Sequence, residues 1–157
     1  MIKYLVIILS AITMINCGNS VEYNSEAIND TILVSDSIDF SKKELKKYIK
    51  HLNLKHPDIV YAQAVLETGN FKSKLFVNNN NLFGFKEPKV RSNTARGSVS
   101  GYAYYSSWRQ SVIDYALYQS SYIRKLNRED YFDYLDKNYA EDPNYSKKLK
   151  EIIKRNE

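Results

Sequence analysis

Glu67 stands at the end of a mostly apolar run, with Val60, Ala64 and Leu66 close by in sequence and Gln63 one helical turn back. A carboxyl group in such company loses hydration, which raises its pKa and keeps a proton available near neutral pH. The end of a helix acts in the same direction, because its partial negative charge disfavours a carboxylate. Those are the properties of a general acid for glycosidic cleavage. The same residues also suit a glutamate exposed beside Gly69, and by themselves they leave both readings open. Other chemistries have little material. One cysteine, Cys17, excludes an internal disulfide framework and a multi-cysteine zinc site. Two histidines, His51 and His56, leave little for a His-based metal cage or a serine triad. No metal and no cofactor are expected.

The elements that would position Glu67 are mainly helical. Ser41 and Glu44 form a capping box, and Phe40 is placed to staple onto Leu45. Leu45, Tyr48, Ile49 and Leu52 then repeat at helical spacing. A second helix opens at Pro57, a favoured first position, and stops at Gly69. Ser73 to Val77 suggests a short third. The four asparagines Asn78 to Asn81 break the pattern. Leu82 to Lys86 and Gly101 to Tyr105 have strand-like spacing, with Tyr102 and Tyr104 on one side and Ala103 and Tyr105 on the other. Three further helices follow. The first carries Trp108, Val112, Tyr115, Ala116, Gln119, Tyr122, Ile123 and Leu126 on one face. The next is capped by Asn127 and carries Tyr131, Tyr134, Leu135 and Asn138. The last starts at Asp142-Pro143, with Tyr145, Leu149, Ile152 and Ile153 inward and Lys147, Lys148, Lys150, Lys154 and Arg155 outward.

Before these elements lie two segments of different character. Met1 to Ile15 is a short basic start and an apolar run too short to span a bilayer, the pattern of a secretory signal. Cys17 follows just after and resembles the lipidated first residue of a bacterial lipoprotein, so residues 1–17 are read as a signal with Cys17 retained as a membrane anchor; the alternative is plain secretion with Cys17 incidental. Residues 18–40 hold five acids and no base, and read as an acidic tether reaching roughly 25 Å. Residues 41–157 carry 22 Lys and Arg against 13 Asp and Glu, net +9, although the whole chain is only +5. So basic a domain favours an anionic partner. Export, and the lack of a phosphate-binding glycine loop, argue against nucleic acid.

Four segments, in order, resemble the glucosaminidase domain of glycoside hydrolase family 73, bacterial peptidoglycan hydrolases. They are Ala62-Gln63-Ala64-Val65-Leu66-Glu67-Thr68-Gly69, Asn80-Asn81-Leu82-Phe83-Gly84-Phe85-Lys86, Tyr105-Ser106-Ser107-Trp108 through Asp114-Tyr115-Ala116, and Tyr139-Ala140-Glu141-Asp142-Pro143-Asn144-Tyr145. The resemblance covers about residues 41–155. It implies a lysozyme-like, mainly α (α+β) fold with a cleft between a helical lobe and a small β-hairpin lobe. It aligns Glu67 with the catalytic acid and Tyr139 with the tyrosine facing it. It implies peptidoglycan glycan strands as substrate, cut at the β-1,4 bond after N-acetylglucosamine. With the export signal, the expectation is a cell-envelope enzyme, and a monomer. Gln63, Asn81, Phe83, Tyr102 and Tyr105 are the candidate substrate-binding residues; Asn81 can equally fix the loop after the helix.

One departure from the family pattern bears on mechanism. A two-carboxylate glycosidase needs a second acid, yet residues 88–113 contain no Asp or Glu, and the nearby acid is Glu87. The expected nucleophile is therefore the substrate's own 2-acetamido group, with Tyr139 positioning it or supporting the developing charge. Two other functions fit the same residues: a peptidoglycan-binding module without turnover, and lytic transglycosylase chemistry, which also uses a single glutamate.

Overall fold

The computed structural model describes residues 39–156. The signal segment, Cys17 and nearly all of the acidic tether lie outside them. The described part contains six helices and one hairpin: α1 (Lys42–His51), α2 (Pro57–Glu67), α3 (Lys74–Asn79), β1 (Gly97–Val99), β2 (Tyr102–Tyr104), α4 (Trp108–Tyr122), α5 (Arg128–Asn138) and α6 (Tyr145–Lys154). It is a mostly helical, lysozyme-like α+β fold with a small two-stranded antiparallel sheet.

Local chemistry accounts for the helix starts. The Glu44 amide donates to the Ser41 hydroxyl at 3.1 Å, the Phe76 amide to Ser73 at 3.2 Å, and the Asp130 amide to the Asn127 side chain at 3.0 Å. Phe40 packs its ring against Phe71, Phe76 and Trp108.

Helix α2 organises the rest. Ile59, Val60, Tyr61, Ala62, Gln63 and Ala64 are all buried, so this helix is covered on every side. Val60, Tyr61 and Ala64 join Leu45, Ile49, Phe83, Trp108 and Tyr115 in one apolar cluster. Ile59 and Ala62 join Tyr131, Leu135, Tyr145 and Leu149 in another. Helix α2 therefore separates two cores, packing on α1 and most extensively on α6.

The β lobe differs from the sequence expectation. Strand β2 pairs with β1, Val99 opposite Tyr102 and Gly97 opposite Tyr104, within the segment read as loop. Leu82–Lys86 is not a strand. Gly84 adopts φ +66°, which interrupts extended backbone. The Asn81 side chain takes the place of a ladder partner: its Oδ1 accepts from the Phe83 and Phe85 amides, and its Nδ2 donates to the Phe85 and Ala103 carbonyls. One backbone bond, from the Ala103 amide to the Phe85 carbonyl at 2.9 Å, joins this segment to the hairpin. The alternation along β2 matches its sequence, with Ala103 and Tyr105 buried and Tyr102 and Tyr104 exposed. Tyr122, placed by spacing on the inner face of α4, is exposed.

Candidate active site

Glu67 is the last residue of α2, and its carboxyl enters a cleft of about 700 Å³. Thr68 ends the helix by donating its hydroxyl to the Ala64 carbonyl and accepting the Phe71 amide, so the chain leaves sharply just beyond the carboxyl. The opposing walls come from Phe83 to Lys86, from Tyr102, from Tyr118 of α4, and from Asn138 to Asp142 with Tyr145 and Lys148.

Burial pushes the Glu67 carboxyl above the ordinary carboxylate range, and a hydrogen bond from Tyr145 draws it partway back. That bond runs from Tyr145 Oη to Glu67 Oε1 at 2.7 Å. The other oxygen, Oε2, faces Gly84, where an added Cβ would come within 3.3 Å of it. Glycine is required there twice over: for the left-handed backbone and for room beside the carboxyl.

Tyr139 lines the same cleft, half-buried, and donates its hydroxyl to the Phe83 carbonyl at 2.6 Å. With its proton committed there, its oxygen has lone pairs left to offer. Burial first, and then the neighbouring Tyr145 and Glu67, hold its pKa well above that of an ordinary phenol. Tyr139 stacks edge-on against Phe85 and Tyr118, both cleft residues. Behind them lies a buried ion pair between Arg91 and Asp114. The Arg91 guanidinium sits 5.2 Å from the Phe85 ring centroid and 5.8 Å from that of Tyr118.

The structure separates the sequence candidates into two groups. Glu67, Tyr139, Tyr102 and Phe83 line the cleft. Phe83 does so with its side chain turned inward, 1% exposed against Tyr115, while Phe85 is the more exposed of the two. Gln63, Asn81 and Tyr105 are not part of the cleft lining and are 0%, 1% and 3% exposed. Gln63 bonds to Tyr145 and Tyr115, Asn81 holds the loop, and Tyr105 donates to Asp114 at 2.6 Å. Their polar atoms are engaged by the protein, and in this arrangement they support the cleft rather than line it as expected from the sequence.

Acidic residues are placed differently as well. Glu87 lies away from the cleft, beside Pro88, Ser98 and Gly101. Glu141 and Asp142 rim the cleft. Asp142 pairs with Lys148 at 2.5 Å, which holds its carboxyl below the usual range. The family pattern directs attention to the β lobe for a second acid and away from Glu141 and Asp142, and the inward spacing of Tyr145 reads as core packing. The signal that finds it is the spacing of α6, which turns Tyr145 and Leu149 onto α2. Among the described residues no group of three or more His, Cys, Asp or Glu is placed to hold a metal ion.

Comparisons with known proteins place the chain in a family. Protein bax of Escherichia coli (strain K12) is 39% identical over 83 residues, covering 53% of this chain and 28% of its own length. An N-acetylmuramoyl-L-alanine amidase domain-containing protein of Staphylococcus aureus (strain NCTC 8325 / PS 47) is 32% identical, covering 63% of this chain and 20% of its own. The chain thus spans less than a third of either relative. Among solved structures, the catalytic domain of the autolysin Auto from Listeria monocytogenes superposes with a TM-score of 0.50 at 25% identity, over 89% of this chain and 96% of that one. An N-acetylmuramoyl-L-alanine amidase from Staphylococcus aureus gives 0.53 at 28% identity, over 72% of this chain and 38% of that one. A family model described as glucosaminidase, mannosyl-glycoprotein endo-β-N-acetylglucosaminidase, matches residues 42–157. The chain belongs to this glucosaminidase family, glycoside hydrolase family 73.

Proposed function

We propose that the chain is an exported peptidoglycan hydrolase that cuts the β-1,4 bond after N-acetylglucosamine, with Glu67 as general acid. The observation that carries this reading is a desolvated carboxyl on a rigid helix end, opening into a cleft walled by Tyr102, Phe85, Tyr118 and Tyr139. Burial keeps Glu67 protonated to higher pH than a free carboxyl, so it can give its proton to the leaving glycosidic oxygen. The 2-acetamido carbonyl oxygen attacks the anomeric carbon as that bond breaks. Water then opens the resulting oxazolinium ring, giving its proton back to the Glu67 carboxylate. Tyr139, its proton held by the Phe83 carbonyl, turns lone pairs toward the positive charge that develops at the anomeric carbon.

Digestion of purified sacculi tests the reading. Wild type should release muropeptides ending in reducing N-acetylglucosamine, and Glu67→Gln should release almost none. Anhydro-muramic ends would instead mean transglycosylase chemistry, and binding without release would mean a module that has lost turnover. Glu87→Gln, Glu141→Gln and Asp142→Asn should retain most turnover. A loss in any of them comparable to Glu67→Gln would replace substrate assistance with a two-carboxylate mechanism. Export and anchoring rest on the Met1–Cys17 pattern; Cys17→Ser should move the protein from the membrane to the soluble fraction.

A further inference from the structure

Gln63, Tyr115, Tyr131 and Gln119 connect the Glu67 site to the far side of the domain, and they lie outside the cleft lining. All four are 3% exposed or less. Tyr145 Oη donates to Glu67 and accepts from Gln63 Nε2 at 3.2 Å. Gln63 Oε1 accepts from Tyr115 Oη. The Tyr115 and Tyr131 hydroxyls lie 2.8 Å apart, and Gln119 Nε2 donates to Tyr131 at 2.9 Å. The chain ends at the peptide of Lys55, whose amide donates to Gln119 Oε1 at 2.6 Å and whose carbonyl accepts from Gln119 Nε2 at 2.9 Å.

The sense of each bond follows from that end. Lys55 presents both a donor and an acceptor to one amide group, which fixes Gln119 with Nε2 on the Tyr131 side. Tyr131 receives that N–H and must turn its own proton to Tyr115. Tyr115 then must give its proton to Gln63 Oε1, which leaves Gln63 Nε2 facing Tyr145. Tyr145 in turn points its proton at Glu67. From Gln119 onward every donor between Tyr131 and Glu67 faces the carboxyl, so those bonds polarise one another toward it.

We propose that Gln63, Tyr115, Tyr131 and Gln119 are positioning residues, which set the direction of the Tyr145 hydroxyl from the Lys55 peptide and so reserve Glu67 Oε1 as an acceptor. The acid proton is then carried on Oε2, the oxygen beside Gly84 and open to the cleft. The other titratable or charged groups that line the cleft with Glu67 are Tyr139 after α5, Lys86 in the loop before β1, Tyr102 on β2, Tyr118 on α4, Glu141 and Asp142 before α6, and Lys148 on α6. None of them belongs to the chain of bonds. The inference rests on the reading of Glu67 as the acid.

The test is the pH profile of kcat and KM on solubilised peptidoglycan strands, using the full chain. Tyr115→Phe and Tyr131→Phe each remove one hydroxyl far from substrate. Less polarisation toward the carboxylate means that Glu67 holds its proton to higher pH. The alkaline limb should therefore move upward, while the plateau kcat falls about tenfold and KM stays unchanged. In a Tyr145→Phe background neither substitution should move the limb again. A merely structural role would lower Tm and leave the limb in place. An unmoved limb in both folded variants, or additive shifts in the Tyr145→Phe background, overturns the proposal. If neither variant folds, proton NMR of the unaltered chain decides: slowly exchanging hydroxyl protons of Tyr115, Tyr131 and Tyr145 support it, and their absence refutes it. Full activity in Glu67→Gln would instead sink the reading beneath it; an inactive Glu67→Gln beside unmoved limbs would sink this inference alone.

Discussion

Gly84→Ala puts a methyl group where the cleft has least room. Two costs can be separated in advance. The backbone at φ +66° is left-handed, and a Cβ there costs about 1–2 kcal/mol. For a domain of this size that lowers Tm by roughly 3–6 °C. The second cost falls on the site: the new carbon would stand 3.3 Å from Glu67 Oε2, so the carboxyl must give way by a few tenths of an ångström. Misplacing a proton donor on that scale costs on the order of tenfold in kcat. Gly101→Ala is the control. Its φ is +82°, and an added Cβ there meets nothing within 4 Å. Both variants should lose similar Tm in thermal unfolding, but only Gly84→Ala should lose kcat in a reducing-end assay normalised to folded protein. Equal kcat in the two variants would refute the claim that Gly84 is kept for the carboxyl as well as for the turn.

Three further outcomes follow from the same geometry. Arg91→Met leaves Asp114 as a buried charge without its counter-ion and should cost about 3–5 kcal/mol in denaturant unfolding, whereas Lys148→Ala at the exposed Asp142 pair should leave stability almost unchanged. Glu67→Gln should raise stability at neutral pH. The folded carboxyl has a pKa above its ordinary 4.5, so the native state holds more protons than the unfolded one just above that pH, and wild-type stability falls as pH climbs from 4.5 through the folded value. The Tm gap between variant and wild type should vanish below about pH 4.5. Asn81→Ala removes four hydrogen bonds of the loop before the hairpin and should cost roughly 2–4 kcal/mol while lowering turnover.

Much of this was legible in the sequence because helix signals are local. Ser41, Ser73 and Asn127 cap the helices that their side chains announced, and Pro57 and Gly69 bracket α2. The hairpin register was not legible. Strand β1 is the Gly97–Val99 stretch just before the turn, whose Gly and Ser read as loop, and Asn81 satisfies by side chain what a ladder from Leu82–Lys86 would satisfy by backbone. The site divided along the same line. Glu67 stands out as a candidate only when its apolar surroundings are joined to the family resemblance. Gln63, equally close in sequence, proved to face Tyr115 and Tyr145, because which way a polar side chain points on a fully covered helix depends on partners 52 and 82 residues away.

Helix α2 lies between two apolar clusters, and that position governs how the molecule can come apart. Amide hydrogens of Ala62 to Leu66 can exchange with solvent only when both clusters open together, so they should be among the slowest in the domain. The loop from Lys86 to Arg96 has less such protection and is tied down by Arg91 to Asp114, by Thr94 to the Gln110 carbonyl and by Arg96 to the Tyr104 carbonyl. Partial opening should therefore release the β-lobe wall first and leave the carboxyl seated, a state that is inactive yet recovers without refolding. Loss of activity on mild heating should be reversible until α2 itself exchanges.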